Sequence, residues 1–395
     1  MSERRAIPST FSVRTWLVFT AAFLFYFLSS SGKQTGYDNY TILANAWLHG
    51  SVTIPDPGPA IDALKYLGKW YIIEAPMPAV IMLPLAMIFG DHANQTFACV
   101  LCGAVAVTAA DVMLGRMNLT PAVRNWTVIF LAAGTVLWWC SAFGAVWMFA
   151  HVAGTMFALL GLAEWFGHRR PWLLGLLIAC AALSRFPIVL AALPFAWWLW
   201  VETPPERRLA AIGQALAGAV PLFIFYSLYN EARWGVPSDI GYTLWYHQDS
   251  VGQPTGSPFR LQYLPFNLYS FFALPPEYSQ EFPWLKPGGL GVCLTLTSPA
   301  LVLALASARA RESLALWASA ILVAVPSLLY YVNGFEQFGM RHSLDFTAFL
   351  IPLVARGMDR TPRALGLTLM TFSIVANAYG MWYSWTYHTF HVVPH

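Results

Sequence analysis

The stretch T-W-L-V-F-T-A-A-F-L-F-Y-F-L-S-S-S-G-K-Q-T-G-Y-D-N-Y (residues 15–40) decides the fold class. Its first part, 15–30, is uncharged and rich in aromatic and aliphatic side chains, so hydrocarbon suits it better than water. Its end is polar, and G-Y-D-N-Y (36–40) sets a carboxylate, Asp38, just past the bilayer exit. Working outward, the rest of the 395 residues repeats the apolar half of that pattern: 57% are hydrophobic and 10% charged, with a mean hydropathy of +0.54. That is the composition of a polytopic membrane protein. In such a chain each carboxylate on the outer side needs a reason, and Asp38 is the first of them.

About a dozen apolar stretches of roughly 14–22 residues predict an all-α transmembrane bundle with no separate soluble domain. Arg4, Arg5 and Arg14 precede the first stretch, which reads as an uncleaved span. The N-terminus is therefore expected to be cytoplasmic and residues 31–75 outside. Within that loop Y-T-I-L-A-N-A-W-L-H (40–49) reads as an amphipathic helix lying on the membrane surface. Residues 77–90 would reach only about 21 Å as a helix, and Pro76, Pro78 and Pro84 interrupt them. Basic clusters at Arg116/Arg124, Arg169/Arg170, Arg207/Arg208, Arg309/Arg311 and Arg356/Arg360/Arg363 belong on the cytoplasmic side. Their parity allows one crossing between 75 and 115, which 94–114 supplies, so 77–90 is expected to be re-entrant or partly inserted. Further spans are expected at 126–147, 149–166, 171–184, 188–201, 209–229, 289–307, 313–332, 346–356 and 364–384, about eleven in all. The chain divides into 1–229 with its first outer loop, a second long outer loop at 230–288, and C-terminal helices over 289–395. No internal repeat of the transporter kind is evident.

The net charge of +3 gives no reason to expect nucleic acid. All five cysteines fall in apolar runs, and Cys99-x-x-Cys102 lacks the second ligand pair of a zinc site, so they read as packing thiols. The 18 tryptophans and 17 tyrosines fit interfacial anchoring of helix ends. Asp111 and Glu164, at inner ends of their spans, are expected to be paired.

The outer-side charges converge on one level. The first loop carries Asp38, Asp56, Asp62, Glu74, Lys33, Lys65 and Lys69. The second carries Glu231, Asp239, Asp249, Glu277, Glu281, Arg233, Arg260, His247 and Lys286. The short loop G-F-E-Q-F-G-M-R-H-S-L-D-F (334–346) adds Glu336, Arg341, His342 and Asp345, while His151 and Arg185 sit at outer helix ends. A carboxylate at that depth can act as general base on a hydroxyl or amine. Cations beside it can stabilise a phosphate leaving group. A lipid-linked sugar presents its phosphate there. Asp38 could instead cap the helix that follows, and Arg341 could simply pair with Asp345 or Glu336.

One span, a long outer loop with an early Asp, an amphipathic helix, the tract Tyr66 to Ala79 (y-x-G-k-w-Y-x-x-x-x-P-x-P-A) and the late G-x-x-x-F-G-x-R-x-x-x-D (Gly334, Phe338, Gly339, Arg341, Asp345) together resemble the GT-C superfamily. These are membrane glycosyltransferases using polyprenyl-phosphate-linked sugars, of the protein-mannosyltransferase and aminoarabinose-transferase kind. The resemblance implies that Asp38 is the catalytic base, that Arg341 contacts the donor phosphate, and that Arg185 does so second. His151, Asp345 and Lys69 complete the expected substrate- and phosphate-binding set. Family members often carry two neighbouring acids in the first loop, whereas Asn39 follows Asp38 here. That departure argues against a metal-binding D-x-D reading and favours transfer without a divalent metal or other cofactor, with Glu74 as the second candidate acid. The transfer is expected to invert the anomeric centre as Asp38 deprotonates the acceptor. The implied partners are a polyprenyl-phosphate-sugar donor, membrane lipids, and an envelope glycan, lipid or protein acceptor; the implied location is a bacterial inner membrane. The competing readings are a transporter or flippase of a lipid-linked solute, and a scaffold without catalysis. Polar residues crowded on one face favour surface chemistry over passage.

Overall fold

The structure is a computed structural model that describes residues 12–58 and 62–387. Arg4, Arg5 and the C-terminal histidines His388, His391 and His395 lie outside the described residues. The chain is helical almost throughout. The first half comprises α1 (Val13–Ser29), α2 (Asn39–Leu48), α3 (Met77–Phe89), α4 (Gln95–Gly115), α5 (Pro121–Ala133), α6 (Leu137–Phe143), α7 (Val146–Trp165) and α8 (Pro171–Ala182). The second half comprises α9 (Ala192–Glu202), α10 (Arg208–Trp234), α11 (Gly241–Gln248), α12 (Leu264–Phe272), α13 (Leu294–Thr297), α14 (Arg311–Leu329), α15 (Leu344–Arg360) and α16 (Arg363–Tyr387). Two small hairpins decorate the loops: β1 (Leu64–Tyr66) with β2 (Lys69–Tyr71), and β3 (Glu277–Tyr278) with β4 (Leu285–Lys286).

Among the described residues, five helices are long and apolar enough to cross a membrane, and the pair α5–α6 makes a sixth if it is one broken span. The expected count of eleven is not reached on this criterion. The runs 15–30, 171–184 and 188–201 form shorter apolar helices. The run 289–307 is no regular span: it holds the four-residue α13 and a 3-10 turn, Pro299–Ala306. Gly134, the cap of α5, bends the run 126–147 by 46°. Helix α3 has 13 residues and an internal proline, so it extends only about 20 Å and falls short of a ~30 Å hydrocarbon core.

One expectation needs correction. Helix α2 does not lie free on a surface: Asn39, Tyr40, Thr41, Leu43, Ala44 and Asn45 are all buried, and it packs on α3. Its polar side is spoken for inside the protein, with Asn39 Nδ2 donating to Asp62 O at 3.0 Å and Thr41 Oγ1 to Ala93 O at 3.1 Å. Period-3.6 patterning shows that a helix has two faces; it cannot show that both are covered.

The core runs through α4, α7 and α15. Helix α15 is buried from Leu344 through Ala355, so it is a central post. Where α8 crosses α10 the backbones touch: a Cβ on Gly175 would come 1.9 Å from Ala215 O, and one on Gly218 1.9 Å from Trp172 O. Only glycine permits that approach. At the end of α4 remote from Asp38, Asp111 accepts from Arg14 at 2.7 Å and Arg124 at 2.6 Å, and Glu164 pairs with Arg170 at 2.9 Å. Both acids are paired, as expected.

Candidate active site

The segment bearing Asp38 is held by side chains at the start of α4. Gln95 accepts from Tyr40 N through Oε1 (2.9 Å), and its Nε2 donates to Tyr37 O (3.0 Å) and Gly144 O (2.8 Å). Thr96 Oγ1 accepts from Thr35 N at 3.0 Å, and Val146 N donates to Tyr37 O at 3.0 Å. One glutamine thereby ties this loop to the α6–α7 junction. Asp38 stands at the N-cap position of α2, yet its side chain makes no capping bond. It accepts instead from Gln34 Nε2 at 3.2 Å. Burial pushes its carboxyl above the ordinary aspartate value, against the Gln34 bond.

The neighbour Tyr37 packs against Trp147 with ring centroids 5.0 Å apart. The Arg341 guanidinium lies 5.6 Å from the centroid of the same Trp147 ring. Trp147 therefore joins the Asp38 segment to the loop before α15. Asp62 also belongs here: burial raises its carboxyl, opposed by the charge of Arg341 and a bond from Trp147.

Arg341 is buried and has no ion-pair partner among the described residues. Its Nη1 donates to Phe335 O at 2.6 Å, its Nε is enclosed without an acceptor, and Nη2 has no hydrogen-bond partner among the described residues. Burial pulls it down to about 10, so it stays charged at neutral pH. Asp345 is taken by others: Oδ1 accepts from His151 Nδ1 at 2.7 Å, and Arg185 reaches both oxygens at 3.1–3.3 Å. The Asp345 side chain has 0% exposure against 16% for Arg185. Arg185 follows α8, and its Nη1 has no hydrogen-bond partner among the described residues. His151, on the second turn of α7, leaves Nε2 enclosed and unpaired, and its ring lies against His342 at 5.1 Å.

Glu74 follows the β1–β2 hairpin. Arg233 of α10, stacked between Tyr229 (4.1 Å) and Trp234 (4.7 Å), donates to Ile72 O at 2.9 Å and so anchors the strand leading to it. Glu74 Oε2 is buried with no partner. Burial, and then the charge of Asp62, raise its carboxyl to about 8, so Glu74 is mostly protonated at neutral pH.

Of the residues singled out from sequence, Arg185, His151, Asp345 and Arg341 converge, and Asp38 joins them through Tyr37 and Trp147. Lys69 does not: it is exposed beside the Leu67–Gly68 turn of the hairpin, and no hydrogen bond or ion pair ties it to the cluster among the described residues. Sequence reasoning counted His342 among the outer-side charges but gave it no role. The clue was the spacing in R-H-S-L-D (341–345), which puts His342 three residues before Asp345, on one face of the turn that starts α15.

No family model and no curated protein matches the chain. Two solved structures resemble it: ArnT from Cupriavidus metallidurans bound to undecaprenyl phosphate (TM-score 0.53, 18% identity, 93% of this chain and 64% of that one), and the same protein in the apo state (TM-score 0.49, 17% identity, 92% and 63%). The chain thus spans less than two thirds of the protein it resembles. At this identity the likeness speaks for the fold alone, over nearly the whole of this chain: a multi-helix membrane bundle.

Proposed function

We propose that the protein is an integral membrane glycosyltransferase that moves a sugar from a polyprenyl-phosphate donor to an acceptor at the outer membrane boundary. The observation that carries this reading is the joining, through Trp147, of a half-buried carboxylate segment to Arg341, whose Nε is enclosed without an acceptor, with Arg185 close by on Asp345. An orphaned donor on a buried cation is costly unless something fills it. A phosphate oxygen suits both forks.

In the transfer, an acceptor oxygen attacks the anomeric carbon from the face opposite the phosphate and inverts it. Its proton passes to Asp38, whose raised affinity for protons suits a base. The C–O bond to phosphate breaks, and the electron pair leaves with the phosphate oxygen, where Arg341 and Arg185 stabilise it. Asp345 acts from behind by holding Arg185 and His151 in place. Glu74, holding its proton, is suited to donate a hydrogen bond to substrate and not to accept the acceptor's proton. With Asn39 beside Asp38 the chemistry needs no divalent metal, and no other cofactor is invoked. The proposed location is a bacterial inner membrane with the N-terminus cytoplasmic, and the proposed acceptor an envelope glycan, lipid or protein. ArnT was solved with undecaprenyl phosphate bound, which supports that lipid class as the donor carrier.

The test is transfer by purified protein from a panel of undecaprenyl-phosphate-linked pentoses and hexoses to an envelope extract, with Asp38→Asn as control. Transfer that resists chelation and disappears in Asp38→Asn supports the reading. Transport of the donor across vesicles without any glycosidic product would replace it with a flippase.

A further inference from the structure

Next to Arg341 is a side chain that the transfer step above leaves unused. His342 is buried to 7% exposure. Its Nδ1 is enclosed without a partner, and its Nε2 has none among the described residues. Four charged or titratable groups face it: Arg341 on its own turn, Arg185 from the segment after α8, His151 from α7, and Asp345 from α15. Gly334 closes over the pair, with φ +90°. A Cβ there would fall 2.9 Å from Gln337 Oε1 and 3.2 Å from both Arg341 Cζ and His342 Nε2, so the amide oxygen, guanidinium and imidazole border one small space that any other residue would fill.

Asp345 is already committed to Arg185 and His151, which leaves the imidazole of His342 among more positive than negative neighbours. Burial, then Arg185, hold its affinity for protons well below that of an ordinary histidine, and the ring is neutral at pH 7. What this corner lacks is negative charge. Glycosyl transfer supplies it: the donor phosphate is a diester with one charge, and breaking its bond to the sugar leaves a monoester whose second ionisation is near pH 6. At pH 7.5 the product brings nearly two charges to the same place.

We propose that His342 is a third ligand of the lipid phosphate and that it takes up a proton when the phosphomonoester product occupies the site. The inference rests on the reading of Arg341 and Arg185 as the phosphate contacts. In the donor complex neutral His342 donates one hydrogen bond, from Nε2. When the dianion forms, the ring takes a proton from solvent and becomes an imidazolium between two guanidiniums. The product is thereby held most firmly at low pH and released more readily as pH rises.

The experiment is calorimetric binding of undecaprenyl phosphate to the full-length protein in detergent at pH 7.5. It is run in two buffers of different ionisation enthalpy, which counts the protons taken up. Wild type is expected to take up most of one proton. His342→Gln is expected to take up almost none and to bind about tenfold more weakly, with an unchanged melting temperature; His342→Asn is the second variant. Wild-type binding without proton uptake, or uptake that persists in either variant, overturns the role of His342 and leaves the two arginines standing. Inorganic phosphate is the parallel probe. If it binds as tightly with the same proton count, the site is a free-phosphate site and the lipid proposal falls. If neither ligand binds wild type, the donor reading falls together with this one.

Discussion

Replacing Asp345 by asparagine should damage the protein more than any other single change at the site. The carboxylate is fully enclosed and accepts from His151 Nδ1 at 2.7 Å and from Arg185 Nε and Nη2 at 3.1–3.3 Å. Hydrogen bonds to a charged group contribute about 1.5–3 kcal/mol each. Asparagine keeps the shape, but one oxygen becomes an NH2 that must face either a guanidinium or an imidazole N–H. The larger cost is the arginine left behind without its counter-charge. Removing one partner of a buried pair costs about 3–5 kcal/mol, a loss of about 10²–10³-fold or more in the ratio of folded to unfolded protein. Thermal melting in detergent should therefore fall by several degrees in Asp345→Asn and also in Arg185→Met. The double variant should recover more than half of the loss, because no unpaired charge remains and the asparagine oxygen can still accept from His151. Undecaprenyl phosphate binding should stay weak in that stable double variant, since Arg185 is gone. A single variant that melts with wild type, or a double variant as unstable as the two losses added, would refute the ion-pair reasoning.

Three further outcomes are expected. Asp38→Asn should lower turnover by on the order of 10²–10⁴ with folding intact, the usual worth of a placed general base; full activity would move the assignment to Asp62. Arg341→Lys should weaken undecaprenyl phosphate binding while the melting temperature holds, because an ammonium lacks the fork, and lost stability with normal binding would make Arg341 structural. Glu74 binds its proton more tightly folded (about 8) than unfolded (near the ordinary glutamate value of 4.5). Its contribution is complete below pH 4.5 and lost as pH rises to 8, on the order of 5 kcal/mol at most. Wild-type melting should therefore drop between pH 5 and 8 more steeply than that of Glu74→Gln, and equal slopes would show that Glu74 titrates normally.

Some of this was legible in the chain and some was not, for physical reasons. An apolar run is a one-dimensional signal, so α4, α7, α10, α14 and α16 could be read directly. Where a run bends is not a matter of hydropathy: Gly134 splits 126–147, and a proline-led 3-10 turn replaces the helix expected over 289–307. The outer level of charge was visible, because carboxylates and guanidiniums are expensive in such a composition. Their partners were not. Asp345 lies 160 positions from Arg185 and 194 from His151, and nothing in R-H-S-L-D says which cation the acid will take. Had Asp345 chosen its near neighbour Arg341, the loop would hold a closed ion pair with nothing left to bind. Because it pairs with Arg185 and His151, Arg341 is left buried without an ion-pair partner among the described residues, and under the proposed function that cation is where the phosphate is held.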